Sequence, residues 1–294
     1  MSMRSKGEKT FDLINTIIMV LFCFIIIYPV WYTLVLSFND ASDTMLGGIY
    51  WWPRKFSIES YITVVKTPGI FKAFGITISR TVIGVITHVF FTAMVAYGLS
   101  KRELTGRKLY LTIGIITMFF NGGLIPTFLL IKKLGLLDNF LVYIIPTLFS
   151  FFDLIIFQSF FRELPQSLEE SAYIDGANDF QIFIKIVLPL SMPVVATIAL
   201  FNGVYHWNDF FTGVIYINNP DLQPIQTFLY KVIAQSSSNQ MMDAMPATLT
   251  NVAKTTSESI KLATMVLTTF PIVCVYPFLQ KYFVKGMLLG AVKE

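Results

Sequence analysis

Two groups of residues in this chain have types and spacing that could do chemistry. One is a scatter of polar side chains inside long apolar stretches: Arg80, His88, Asn121, Asp153, Gln158, Asn202, His206, Asn208 and Asp209. Such groups are expensive in hydrocarbon, so they face a cavity or one another. The other group lies in the polar connection Arg162 to Pro189, where five acids meet two bases. Neither group organises a catalytic centre. The two histidines, with Asp153 and Asp209, show no Ser–His, paired-aspartate or metal-ligand spacing. Cys23 and Cys274 stand alone in apolar blocks and read as small hydrophobes. No G-x-x-x-x-G-K-[ST] loop is present to cradle phosphates. Catalytic, metal and cofactor residues are therefore not expected on this chain.

The elements that must position these residues are membrane helices. Of 294 residues, 54% are hydrophobic and only 14% charged, with mean hydropathy +0.64. Soluble domains carry about 25% charged residues. Apolar blocks of about 20 residues match the thickness of a bilayer. In lipid only a helix or a closed barrel satisfies the backbone, and no short alternating strands are seen. Six spans are expected, near Leu13–Phe38, Phe71–Leu99, Leu109–Ile131, Phe140–Phe161, Leu190–Ile217 and Ser259–Phe283. The fold class is an all-α polytopic bundle, one domain over 1–294. The first block is too long for a signal-peptide core and reads as an uncleaved span.

With the N-terminus inside, inner segments hold 12 Lys/Arg against 7 outside. That places both termini in the cytoplasm. Trp51 and Trp52 then suit the outer interface, and the connection around Ser236, Ser237 and Ser238 is a polar outer loop. The basic residues form no run suited to nucleic acid.

The inner connection, 162–189, has the grammar of two short helices. Ser167 and Glu170 have capping-box spacing. Gly176 stands where a left-handed residue would end the first helix. Asn178 or Asp179 can cap the second, whose Phe180, Phe183, Ile184 and Val187 recur as one apolar stripe before Pro189 ends it. The net charge of −3 argues against adsorption to an anionic inner leaflet and favours a protein groove with a basic rim.

Glu170-Ser171-Ala172-Tyr173-Ile174-Asp175-Gly176-Ala177, followed by Phe183, Ile186, Leu188 and Pro189, resembles the EAA motif of binding-protein-dependent ABC importer permeases, with Ser171 in place of an alanine. Six spans and a long second outer loop resemble the MalG-type permeases for oligosaccharides. Asn121-Gly122-Gly123-Leu124-Ile125-Pro126, Leu134-Gly135-Leu136, Asp209 near Trp207 and Asn218-Asn219-Pro220-Asp221 resemble the aldouronate or pectin-oligosaccharide subgroup.

The resemblance implies an inner-membrane subunit forming half of a path for an oligosaccharide, uronate-containing in that subgroup. It implies a second permease, two ATP-binding subunits holding ATP and Mg, and an extracytoplasmic sugar-binding protein. Glu170, Ser171, Ala172, Asp175, Gly176, Ala177, Phe183, Leu188 and Pro189 would couple this chain to the ATPase. For the pathway the candidates are Arg80, Asn121, Asp153, Tyr205, Trp207 and Asn208. Asn121-Gly122-Gly123 either unwinds a span or forms a packing notch. Tyr205, Trp207 and Asn208 either form a sugar-type cluster or pack ordinarily. A permease for a non-sugar solute and an ion-driven secondary transporter are the rival readings.

Overall fold

The computed structural model describes residues 6–243 and 256–291. Arg4, Lys254 and Lys293 of the charge count lie outside them. The described secondary structure is helical apart from one isolated β-bridge between Asn39 and Phe56. The chain forms two compact units, one of residues 1–68 and 229–270, the other of 69–228 and 271–294.

The first unit opens with α1 (Lys6–Ser37), followed by α2 (Ala41–Met45) and α3 (Glu59–Lys66). The apolar window of α1 buries nothing within the chain. A helix that is apolar all round belongs in lipid or against other membrane helices. At its end a polar knot fixes the turn. Asp40 caps α2 by accepting from Ser42 N and Asp43 N. Arg54 Nε donates to the buried Asp43 carboxylate at 2.9 Å, and Asn39 Nδ2 donates to it at 3.1 Å. The Arg54 guanidinium, with Asn39, holds the Asp43 carboxyl below the usual carboxylate range. Trp31 Nε1 donates to Trp51 O at 3.0 Å, and Trp52 meets the Trp31 ring edge-on. The exposed Trp51 and Trp52 suit an interfacial belt.

The second unit is built on α4 (Ile70–Ser100). Against it pack α7 (Phe151–Glu163) and α11 (Met192–Asn208). Its core joins Ala93, Ala96 and Tyr97 of α4 to Leu154, Phe157 and Phe161 of α7, with Val194 and Ile198 of α11. Small residues on α4 let the neighbouring backbones approach. Between α4 and α7 lie α5 (Arg107–Phe119) and α6 (Leu124–Lys133), then a 3-10 turn over Phe140–Tyr143. The connection after α7 holds α8 (Gln166–Ile174), α9 (Asp179–Ile182) and α10 (Leu188–Leu190). α12 (Phe211–Tyr216) follows α11, while α13 (Ile225–Asp243) and α14 (Ser257–Ala291) run on from one unit into the other.

Six spans were expected, but counting each bent helix pair as one span gives at most five among the described residues. Among the described residues three helices are long and apolar enough to cross a membrane: α1, α4 and the first part of α14. The third block breaks at Phe120–Gly123, and α5 and α6 meet at 116°. The fourth block is the 3-10 turn plus the 13 residues of α7, because Pro146 withholds a donor and Ser150 caps a fresh helix by accepting from Asp153 N. At 1.5 Å per residue α7 alone spans roughly 20 Å. The fifth ends at Asn208 rather than Ile217, since Asp209 Oδ1 accepts from Thr212 N and starts α12. The stretch around Ser236–Ser238 lies in helix α13, not in a loop.

Candidate functional site

The α8–α9 hairpin is anchored by backbone chemistry that the sequence fixes locally. Gly176 has φ +81°, the left-handed conformation that lacks a Cβ penalty only in glycine. Gly176 N donates to Tyr173 O at 3.0 Å and Ala177 N to Ala172 O at 2.9 Å, the paired bonds of a Schellman stop. Ala172 and Ala177 then tuck into the core below. Asn178 caps α9 reciprocally: its Oδ1 accepts from Gln181 N at 2.9 Å, and its own N donates to Gln181 Oε1 at 3.0 Å. The capping box expected at Ser167 and Glu170 is not formed. Pro165 occupies the cap of α8, which puts Ser167 inside the first turn.

The apolar stripe of the second short helix is divided. Phe183 and Val187 are buried, with Phe183 stacked on Tyr97 at 5.5 Å, whereas Phe180 and Ile184 are exposed. Ile174 of α8 is 86% exposed. The division follows from a π-turn over Phe183–Val187. Pro189 cannot donate to the carbonyl four residues back, so the helix widens there. Leu188 is half-buried in the core, and Glu170, Ser171, Asp175 and Pro189 are exposed. The helix does not stop at Pro189 but turns by 82° at Ser191 into α11. Tyr173 donates its hydroxyl to Asp179 Oδ1, and this bond, then burial, pushes the phenol up to about 12.

The intramembrane polar residues form a seam along α4, α7 and α11. Arg80 is fully buried. Its Nε donates to His206 O at 2.8 Å, one terminal nitrogen donates to Asp209 Oδ2 at 2.9 Å, and the guanidinium lies 4.7 Å over the Tyr143 ring. His206 packs on Gly84, where a Cβ would stand 2.4 Å from His206 Nε2. His88 Nδ1 donates to Thr147 O at 2.6 Å, and its Nε2 lies 2.8 Å from Asp153 Oδ2. Asn202 Nδ2 also donates to Asp153 Oδ2, at 3.2 Å. A carbonyl only accepts, so Nδ1 carries hydrogen. Nε2 then carries a second one, facing a carboxylate, or receives one from a protonated Asp153. Either way a hydrogen lies between His88 Nε2 and Asp153 Oδ2.

The remaining pathway candidates are dispersed. Asn121 is exposed in the α5–α6 break, its Oδ1 accepting from Gly123 N at 2.8 Å. On α11, Tyr205 and Asn208 are exposed, while Trp207, about 160° round the helix from Tyr205, lines an apolar groove of about 430 Å³ with Val82, Ile86 and Pro271. Sequence reasoning missed Asp138, a non-glycine with φ 52°. Its Oδ1 accepts from Asn219 N at 2.8 Å, so it pins the Asn218–Asp221 turn, and Lys72 of α4 pairs with Asp221 at 2.9 Å. An Asp after a Gly-Leu-Leu run carries no local signal of that long-range bond.

A broken-helix membrane unit with a capped hairpin outside its spans is the architecture of a transport permease. Residues 98–289 match the family described as binding-protein-dependent transport system inner membrane component, and the chain belongs to that family. It is 40% identical over 286 residues to the polygalacturonan/rhamnogalacturonan transport system permease protein YtcP of Bacillus subtilis (strain 168), covering 97% of this chain and 99% of that one. It is 40% identical over 294 residues to Protein LplC of the same organism, covering 98% and 97%. A solved bacterial ABC transporter involved in the import of the acidic polysaccharide alginate has a chain 30% identical with TM-score 0.86, covering 96% of this chain and 100% of that one. The all-α permease fold expected from the motif is therefore the observed one.

Proposed function

We propose that this chain forms half of the translocation path for an oligosaccharide bearing uronate units and couples that path to a separate ATPase. The observation that carries this reading is the hairpin over 162–189. Its two stops are fixed by Gly176 and Asn178, and its Ile174 and Phe180 stand exposed at the tip. The relatives named for polygalacturonan and alginate supply the cargo class.

In this reading 1–294 acts as one permease domain in the cytoplasmic membrane, with both termini and the hairpin on the cytoplasmic side. A second permease chain completes the path, two ATP-binding subunits hold ATP and Mg, and an extracytoplasmic protein delivers the sugar. Ile174, Phe180 and Ile184 seat in an apolar groove of the ATPase, with Glu170 and Asp175 at its polar rim. Phe183, Leu188, Ala172 and Ala177 hold the hairpin to the spans. Asn121, Tyr205 and Asn208 face the path, whereas Arg80 and Asp153 shape it from within the seam.

Uptake of labelled oligogalacturonate and of a neutral oligosaccharide of equal length tests the cargo. Cells lacking this chain should lose the acidic substrate selectively. Unchanged acidic uptake, or uptake that survives ATP depletion under an ion gradient, would overturn the reading.

A further inference from the structure

Beside its apolar packing on the core, the hairpin is tied to the membrane helices by a cation. Lys101 follows the last turn of α4, and its Nζ reaches the Glu169 carboxylate of α8. The same Nζ lies 4.4 Å over the ring of Tyr97 and 5.7 Å from that of Tyr173. Both charged side chains are three-quarters buried, at 24% exposure each. A cation shared between a carboxylate and two aromatic faces in such a partly desolvated place is held more firmly than a surface ion pair.

The surroundings make this contact a junction. Tyr97 of α4 is buried against Phe183 of the second short helix and meets Phe161 of α7 edge-on. Tyr173 donates to Asp179, joining α8 to the start of α9. Leu99 O accepts from Gln158 Nε2 of α7 at 2.6 Å and from Arg107 Nε at 2.8 Å. So the end of α4 is braced on α7 and carries the cation that holds α8. By contrast α8 is joined to its neighbours by two bends, an extended Leu164-Pro165 step and the left-handed Gly176. With bends at both ends, its orientation depends on side-chain contacts.

We propose that Lys101, with Glu169 as its partner, is a positioning residue that makes α8 move as one piece with α4. α4 also carries Arg80 and His88, so a push on α8 is passed to the polar seam rather than absorbed at Gly176. The proposal rests on the reading of the hairpin as the ATPase docking element.

The test uses the complete importer in liposomes with two readouts, co-purification of the ATPase and the ratio of cargo-stimulated to basal ATP hydrolysis. K101E and E169K should each lower that ratio roughly fivefold, the scale of a partly buried charge contact. The ATPase should still co-purify with K101E. The double swap K101E/E169K should recover most of the loss, which a purely structural defect would not. Wild-type ratios in both single variants, or a double swap as poor as the singles, would overturn the proposal. K101M and E169Q give the same comparison without reversing charge: losses that fail to add support the strut, and additive losses overturn it. Failure of the docking reading is distinguishable, because it appears as full ATPase co-purification together with full stimulated hydrolysis after Gly176→Val.

Discussion

His88 stands between two acceptors, and the proton it shares with Asp153 decides what each substitution does. Asp153→Leu leaves a buried imidazole and Asn202 without their partner. It should destabilise the assembled importer by on the order of 3 kcal/mol. Asp153→Asn should be much milder, since its amide can donate to a neutral His88 Nε2 without the extra proton. Melting of the purified complex distinguishes the two, and equal losses would show that the pairing is unimportant. Gly84 is the matching packing test. A side chain there meets His206 at 2.4 Å, so Gly84→Val should part α4 from α11 and lower the yield of assembled complex. His206→Ala in the same chain should recover part of it. The sequence marked Arg80, His88, Asp153, Asn202 and His206 as polar residues needing partners. It could not pair them, because partners such as Thr147 O and His206 O are backbone atoms set by helix rotation.

At the scale of elements, the stops of the hairpin were legible and its cap was only partly so. Gly176 and Asn178 act through neighbours in sequence, so their roles can be read from spacing. Ser167 was displaced as a cap by Pro165, whose fixed φ starts α8 two residues sooner. Ser167→Ala should therefore be close to neutral, whereas Asn178→Ala should cost about 1 kcal/mol in helix stability. Thermal unfolding of the complex, or protease sensitivity of the hairpin, checks the difference. Substitution at Gly176 should follow backbone conformation: Asn, which tolerates positive φ, less harmful than Val. The spans show the opposite limit. Block lengths revealed membrane helices, but the bends of 116° and 82° come from Gly122-Gly123, Pro189 and Pro193 acting together with tertiary contacts. Hydropathy averaged over a window passes smoothly across all of them.

At the scale of the whole molecule, the permease class was legible because the motif over 170–189 is long and its small residues have a visible cause in Ala172 and Ala177 packing on the core. The cargo was less legible, since pathway candidates such as Tyr205 and Trp207 sit on different sides of α11. If the account holds, purified chain freed of partners should neither bind nor hydrolyse ATP, as a nucleotide-binding assay can establish. The most direct measurement compares wild type and Gly176→Val in liposomes containing the complete importer, reading sugar-stimulated ATP hydrolysis and ATPase co-purification together. The strain of a side chain at φ +81° is roughly 1 kcal/mol or more, and α9 should swing from its seat. The account predicts that Gly176→Val loses stimulated hydrolysis or ATPase association while the binding protein keeps its sugar affinity. Full co-purification together with full stimulated hydrolysis in Gly176→Val would contradict it.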